Sequence, residues 1–181
     1  MLGWTYPDYR MKVAIAIAEF LRDQGIRHVF CISGGASLHL IHAISETEGI
    51  TYVCPQTEQA ASFAADSYAR LTGLGCALAT SGPGGTNFIT GIAASYYDSV
   101  PVLFLVGQVT TQRLTGNFTT PPRQYGFQET PIVDMVRKIT KYAVEPLRPE
   151  DVMPAMREAV RMAKEGRPGP ALVSICDDLQ R

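Results

Sequence analysis

Residues 76–87, CALATSGPGGTN, run from an apolar segment through a glycine-rich turn into a second apolar segment. The first five residues have the length and composition of a buried strand, and Pro83 favours the first turn of a helix. The glycines on either side of Pro83 let the backbone come close to a flat or anionic ligand. The P-loop pattern GxxxxGK[ST] is absent, so a plain tight connection remains the alternative.

The same alternation of strand and helix continues on both sides of this turn. Further strands are predicted at 28–32, 51–53, 102–106 and 171–175, and helices at 12–24, 36–46, 57–72, 84–97 and 149–165. Gly25 stands where a left-handed residue would end the first helix. The pattern predicts an α/β fold, with a doubly wound, mostly parallel sheet and helices on both faces. A chain of 181 residues predicts one domain spanning 1–181.

Charge and hydropathy exclude several function classes. Sixteen basic and seventeen acidic residues leave a net charge of −1, without the basic run that nucleic acid or anionic lipid requires. No apolar stretch is long enough to span a membrane, and residues 1–10 lack the order of a signal peptide. We therefore expect a cytoplasmic protein that acts on small molecules and binds neither nucleic acid nor membrane.

The cysteines and histidines do not predict a metal site. The sequence contains no CxxC pair, and no histidine stands at metal-ligand spacing from a cysteine. His39 and His42 lie three apart on a predicted helix, but the pattern offers them no acidic or cysteine partner, and His28 stands alone. The four cysteines are predicted to be buried, reduced thiols: Cys31, Cys54, Cys76 and Cys176.

Glu58 is the candidate catalytic residue. It falls in the first turn of the predicted helix 57–72, directly after a strand, where a carboxylate faces the positive end of the helix dipole. Alanines recur at four-residue spacing along that helix, so another helix can approach it closely. Taken alone, Glu58 also fits a solvated acid that stabilises the helix by about 0.3–1 kcal/mol.

A polar stretch at 107–125 is too long for an ordinary connection. Loops of that length within a compact domain are usually functional or disordered. We therefore expect this stretch to lie near a site.

The order of these motifs resembles the N-terminal, pyrimidine-binding domain of the acetolactate synthase and pyruvate oxidase group of thiamine-diphosphate enzymes. The resemblance covers residues 11–181. Five stretches carry it in the family's order: 25–36 ending in Ser33-Gly34-Gly35-Ala36, Glu58-Gln59-Ala60-Ala61 with Tyr68-Ala69-Arg70 and Thr72-Gly73, Thr80-Ser81-Gly82-Pro83-Gly84, Gly126-Phe127-Gln128-Glu129, and Arg167-Pro168-Gly169-Pro170.

The resemblance implies that Glu58 activates thiamine diphosphate. Its carboxyl group would hydrogen-bond N1′ of the aminopyrimidine and stabilise the imino tautomer, whose 4′-nitrogen removes the proton from thiazolium C2. The same resemblance implies that Gly34, Gly82 and Pro83 line the aminopyrimidine and that Asn87 helps to fix it.

The substrate side of the site is also implied by the resemblance. Phe127 and Gln128 would reach over the reacting carbon of a 2-oxo acid, in a transferase or lyase that catalyses carboligation or decarboxylation. Thr57 stands where many relatives have His, and Asp177 stands where acetolactate synthases have Lys, which argues against acetolactate synthase activity itself. A flavin is compatible with the group but not indicated.

The resemblance further implies that this chain forms half of a site. In the group, a central domain follows, and a C-terminal domain binds the diphosphate and Mg²⁺ through a GDG motif and a later Asn; neither motif occurs here. The chain is then expected to be inactive alone, as a piece of a longer protein or one subunit of a split enzyme. We expect a homodimer through the helices that begin at Glu58 and Pro83, and a diphosphate-binding partner domain.

Two other interpretations remain open at this point. A non-catalytic binding or regulatory module could retain the fold and its interface without the chemistry. An unrelated doubly wound domain could use the glycine-rich turn for a nucleotide phosphate, although that interpretation leaves the motifs at Glu58 and at Phe127-Gln128 unexplained.

Overall fold

Six strands form one parallel sheet in the computed structural model, which describes residues 12–181. They are β1 (His28–Cys31), β2 (Thr51–Val53), β3 (Gly75–Ala79), β4 (Val102–Gln108), β5 (Tyr142–Val144) and β6 (Ala171–Cys176). Their spatial order is β2-β1-β3-β4-β6-β5. The two central strands β3 and β4 are buried along their whole length, as expected where helices cover both faces. The predicted fold class is confirmed.

Helices cover both faces of this sheet. They are α1 (Val13–Asp23), α2 (Leu38–Glu46), α3 (Glu58–Thr72), α4 (Pro83–Thr86), α5 (Ile89–Asp98), α6 (Ile132–Val136) and α7 (Pro149–Lys164). One apolar core lies between the sheet and α1, α2 and α7, and a second lies beneath α3, α5 and α6. Gly25 and Gly73 end α1 and α3 with positive φ angles, as the sequence predicts for Gly25.

Three elements differ from the sequence-based expectation. The helix predicted over 84–97 is divided into α4 and α5, because the chain makes a tighter turn at Asn87 and Phe88. The sequence analysis also missed α6 and β5, which contain five and three residues respectively. Elements this short present too few residues for a periodic pattern.

Helices α3 and α5 lie in unusually close contact. A Cβ added to Gly91 of α5 would lie 2.0 Å from Ser62 Oγ of α3, so only glycine fits there. Beside this contact, the buried carboxylate of Asp66 accepts hydrogen bonds from Ser95 Oγ and Arg70 Nε, each at 2.7 Å. A buried carboxylate with two donors therefore joins the two helices.

Within residues 12–181, no helix combines the length and the apolar character needed to cross a membrane.

Candidate active site

The carboxyl ends of β1 and β3 meet where the strand order reverses, which is where ligands bind in open parallel sheets. Gly34 follows β1, and Thr80 follows β3. Thr80 Oγ1 accepts a hydrogen bond from Ala36 N at 3.2 Å, and a Cβ on Gly34 would lie 2.5 Å from the Thr80 side chain. The two segments close upon each other so tightly that position 34 requires glycine.

Glu58 is the first residue of α3, and its position is fixed by local contacts. Thr57 caps the helix, because its Oγ1 accepts a hydrogen bond from Ala60 N at 3.1 Å. The half-buried Glu58 carboxylate then accepts a hydrogen bond through Oε2 from Asn87 Nδ2, at 2.9 Å. This bond joins the start of α3 to the residue that follows α4. Within residues 12–181, the other carboxylate oxygen, Oε1, accepts no hydrogen bond from the protein.

The glycine-rich turn brings bare backbone close to this carboxylate. Gly82 precedes α4 with φ +60°, and Pro83 occupies the first turn. A Cβ on Gly84 would lie 2.9 Å from Thr80 Cγ2 and 3.6 Å from Glu58 Oε1. Gly82, Gly84 and Gly85 are buried and Pro83 is exposed, so the glycines let the turn pack closely against Thr80 and Gln128.

The segment Phe127-Gln128 lies against the same turn. Gln128 has φ +59°, a left-handed conformation that costs a residue with a side chain about 1–3 kcal/mol. A Cβ on Gly82 would lie 2.6 Å from the carbonyl oxygen of Gln128, so the two residues touch through their backbones. Phe127 is 78% exposed and lines an open cleft of about 440 Å³ with Gln128 and Ser81.

Carboxylates hold the polar stretch beside this cleft. Glu129 accepts hydrogen bonds from Thr115 N and Oγ1, at 2.6 and 2.7 Å, and from Tyr125 N and Gly126 N, both at 3.4 Å. Asp178 accepts hydrogen bonds from Thr111 N and Oγ1, at 2.9 and 2.6 Å. The stretch beyond β4 is therefore ordered by hydrogen bonds, and its residues Thr110 and Arg113 line the cleft as well.

Asp177, which directly follows β6, also lines the cleft. Its carboxylate is 3.6 Å from His39 Nε2 and 2.7 Å from an Arg181 guanidinium nitrogen. The expectation that His39 lacks an acidic partner is therefore wrong, because the sheet brings residues 39 and 177 together. Across residues 12–181, no three His, Cys, Asp or Glu side chains are grouped closely enough to hold a metal ion.

One prediction for the cysteines is also wrong. Cys31, Cys76 and Cys176 are buried, but Cys54 is exposed. It follows β2, which has a neighbouring strand on one side only and is exposed along its length. An apolar run at a sheet edge is thus not sufficient to bury the residue after it.

The structure brings the predicted residues into two adjoining groups. The first group is at the glycine-rich turn and contains Gly34, Glu58, Gly82, Pro83 and Asn87, with Gly34 packed against Thr80. The second group, Phe127 and Gln128, lies against the turn and lines the cleft. A half-buried carboxylate beside a glycine-rich turn fits the aminopyrimidine ring that the resemblance implies, since such a ring needs a proton-sharing partner.

Sequence reasoning assigned no role to Thr80, Gln108 or Glu129. Thr80 and Glu129 belong to quoted motifs, and Gln108 is a buried polar residue that ends an apolar strand. Polar residues at the carboxyl ends of parallel strands tend to lie near a ligand site, and that signal could have identified Gln108. Its Nε2 donates to Thr130 O at 3.0 Å and to Glu145 Oε2 at 3.3 Å.

Comparison with known proteins places these motifs in a family. Residues 11–137 match the family model described as thiamine pyrophosphate enzyme, N-terminal TPP binding domain. The chain is 41% identical over 176 residues to the chloroplastic acetolactate synthase of Arabidopsis thaliana, covering 97% of this chain and 25% of that protein. It is 40% identical over 176 residues to acetolactate synthase 2 of Nicotiana tabacum, with the same coverage of each.

A bacterial relative shows the same relationship. The acetolactate synthase large subunit of Haemophilus influenzae is 38% identical over 170 residues, covering 93% of this chain and 28% of that protein. The chain thus spans about a quarter of the length of these curated relatives. With its sheet, its glycine-rich turn and its glutamate in the positions described, the chain belongs to the thiamine pyrophosphate enzyme family and corresponds to the N-terminal, TPP-binding domain.

Proposed function

We propose that this chain is the pyrimidine-binding half of a thiamine-diphosphate enzyme that acts on a 2-oxo acid, by carboligation or decarboxylation. The observation that carries the proposal is the Glu58 carboxylate, which Asn87 holds at 2.9 Å beside the bare backbone of the turn. The relatives are named acetolactate synthases, which supports the class of chemistry.

The residues of the chain would bind the ring and control one proton. Thiamine diphosphate, when bound, supplies a nucleophilic thiazolium carbon of its own. The Asn87 amide occupies Glu58 Oε2, so Oε1, which faces Gly84, is the oxygen that can share a proton with a ring nitrogen. Gly34 and Gly82 would help to hold the turn in place beside the ring, because each packs directly against Thr80 or Gln128 and a side chain at either position would collide.

The cleft beside the turn would receive the substrate. Phe127 supplies an exposed apolar surface for an aliphatic chain, and Arg113 and Arg181 on the cleft walls can attract a carboxylate. Asp177 neutralises part of this positive charge through its contact with Arg181. The cleft would therefore bind a small 2-oxo acid less strongly than a lysine-lined cleft would.

The rest of the site would come from partner domains in the cytoplasm. The proposal assigns the diphosphate and Mg²⁺ to a C-terminal domain of the same protein or of a partner subunit, and it leaves this chain inactive alone. A second copy would cover α3 and α5, which both expose large apolar side chains: Phe63, Leu71, Tyr96 and Tyr97. A Phe63→Asp chain should then elute as a monomer where the parent chain elutes as a dimer.

The central test is titration of thiamine diphosphate with Mg²⁺, followed by calorimetry. Binding is expected only when the diphosphate-binding region is mixed with this chain. Glu58→Gln should slow deuterium exchange at the cofactor's C2 by about 100-fold or more, since it removes a proton-transfer partner. Glu150→Gln is the matched control, because it changes a glutamate in the first turn of α7, away from the site.

Two results would reject the proposal. Equal exchange rates in Glu58→Gln and Glu150→Gln would show that the Glu58 carboxylate does not activate the cofactor. A mixture that fails to bind the cofactor would favour a non-catalytic module that retains the fold.

A further inference from the structure

Two cysteines stand opposite each other at the end of the β1–β2 pair. The parallel register pairs His28 with Thr51, Val29 with Tyr52 and Phe30 with Val53. The next residues in that register are Cys31 and Cys54. Residues in register on parallel strands point to the same face, so the register sets the Cys31 and Cys54 side chains side by side at the end of the strand pair.

The spacing of the strands suits a covalent bond between these thiols. Neighbouring strands lie about 4.7–4.9 Å apart, and disulfides join Cα atoms that are about 4.4–6.8 Å apart. The third nearby cysteine is placed differently, because the register of Phe30 with Ala77 sets Cys76 opposite Val29 and diagonal to Cys31. Cys54 is thus the cysteine that faces Cys31 directly.

The two thiols differ in access to solvent. Cys54 is exposed, whereas Cys31 is fully buried, and burial followed by the nearby Cys54 raises the pKa of Cys31 to about 12. An oxidant therefore reaches Cys54 first, and the buried thiol reacts second. Cys54 also lies four residues before Glu58, with only Pro55, Gln56 and Thr57 between them.

We propose that Cys31 and Cys54 form a reversible disulfide that links β1 to the segment leading into Glu58. With glutathione disulfide as the oxidant, the Cys54 thiolate attacks one of its sulfurs and releases one glutathione thiolate. Cys31 loses its proton and attacks the Cys54 sulfur of the mixed disulfide, which releases the second glutathione. Two protein thiols are oxidised, and one glutathione disulfide is reduced to two glutathione molecules.

The disulfide would make the position of residues 55–57, which lead into Glu58, depend on the redox state of the two thiols. A disulfide here closes a loop that contains α2 and β2, and it fixes the chain just before α3 begins. In a reducing compartment the thiols are kept free, so a bond of this kind forms only when oxidant accumulates. The proposal concerns the strand pair and stands whether or not Glu58 activates a cofactor.

The test is oxidation of the folded 181-residue chain with glutathione disulfide for several hours, followed by intact mass and peptide mapping. We expect the loss of two hydrogen atoms per chain, one peptide pair joined through positions 31 and 54, and full reversal by dithiothreitol. Cys76→Ser should form the same bond. Cys54→Ser should form none and keep its thermal midpoint unchanged by the oxidant, which shows that a folded chain was tested.

Three outcomes would overturn the proposal. One is a stable glutathione adduct on Cys54 with Cys31 still free. Another is a disulfide between two chains through Cys54. The third is a bond from Cys31 to Cys76, since that pairing would show that the diagonal cysteine is the nearer partner.

Discussion

Asp66 offers the sharpest test of how the site is supported. Its side chain is 7% exposed and accepts hydrogen bonds from Ser95 of α5 and from Arg70 of its own helix. In Asp66→Ala the fully buried Ser95 hydroxyl loses its acceptor, at a cost of about 1–3 kcal/mol. The ion pair adds about 1 kcal/mol at most, because Arg70 is nearly half exposed. The expected loss is therefore about 1–4 kcal/mol.

The assay is urea and thermal unfolding followed by far-ultraviolet circular dichroism. At this chain length the loss corresponds to a fall of roughly 2–16 °C in the midpoint, with an unchanged urea m-value. Asp98→Ala is the control, since Asp98 binds the same guanidinium at 2.6 Å but is 58% exposed. That variant should lose less than about 1 kcal/mol. Equal losses in the two variants would refute the reasoning that the buried carboxylate joins α3 to α5.

Two further predictions follow from close contacts. Gly91→Ala should destabilise the chain by about 2 kcal/mol or more in urea unfolding, because its Cβ would lie 2.0 Å from Ser62 Oγ. Adding Ser62→Gly should restore much of this stability, and no loss in the single variant would contradict the close contact between α3 and α5. Glu129→Ala should speed tryptic cleavage at Arg113 and Arg123 about tenfold, because the polar stretch at 107–125 and Gly126 lose four hydrogen bonds, while the far-ultraviolet circular dichroism of the fold is unchanged. An unchanged cleavage rate would show that Glu129 does not order this stretch.

The features predicted correctly are those that a short stretch of sequence determines. The glycine-rich turn needs only Gly82 and Pro83 between two apolar runs, and the start of α3 needs only Thr57 as a cap before Glu58. Strand and helix alternation likewise predicted the parallel sheet. The turn and the start of α3 are each determined by a few neighbouring residues, and the alternation is the sum of such local patterns along the chain.

The features that were missed depend on residues distant in sequence. The Asp66–Ser95 hydrogen bond and the Asp177–His39 contact join elements that only the folded sheet brings together. The exposure of Cys54 follows from the place of β2 at an edge of the sheet, which the apolar run itself does not encode. Strand order decides each of these contacts, and periodicity does not report strand order.

The strand order also has a consequence for the chain during its synthesis. Strand β6, the last of these six strands to be synthesised, lies between β4 and β5 in the sheet. While residues 109–170 are being synthesised, the side of β4 that pairs with β6 has no neighbouring strand. At about 5–20 residues per second this interval lasts roughly 3–12 s. During that interval an apolar strand with unpaired backbone groups is open to other nascent chains. Translation speed and chaperone access over residues 109–170 should therefore govern the yield of soluble protein more strongly than the same factors upstream.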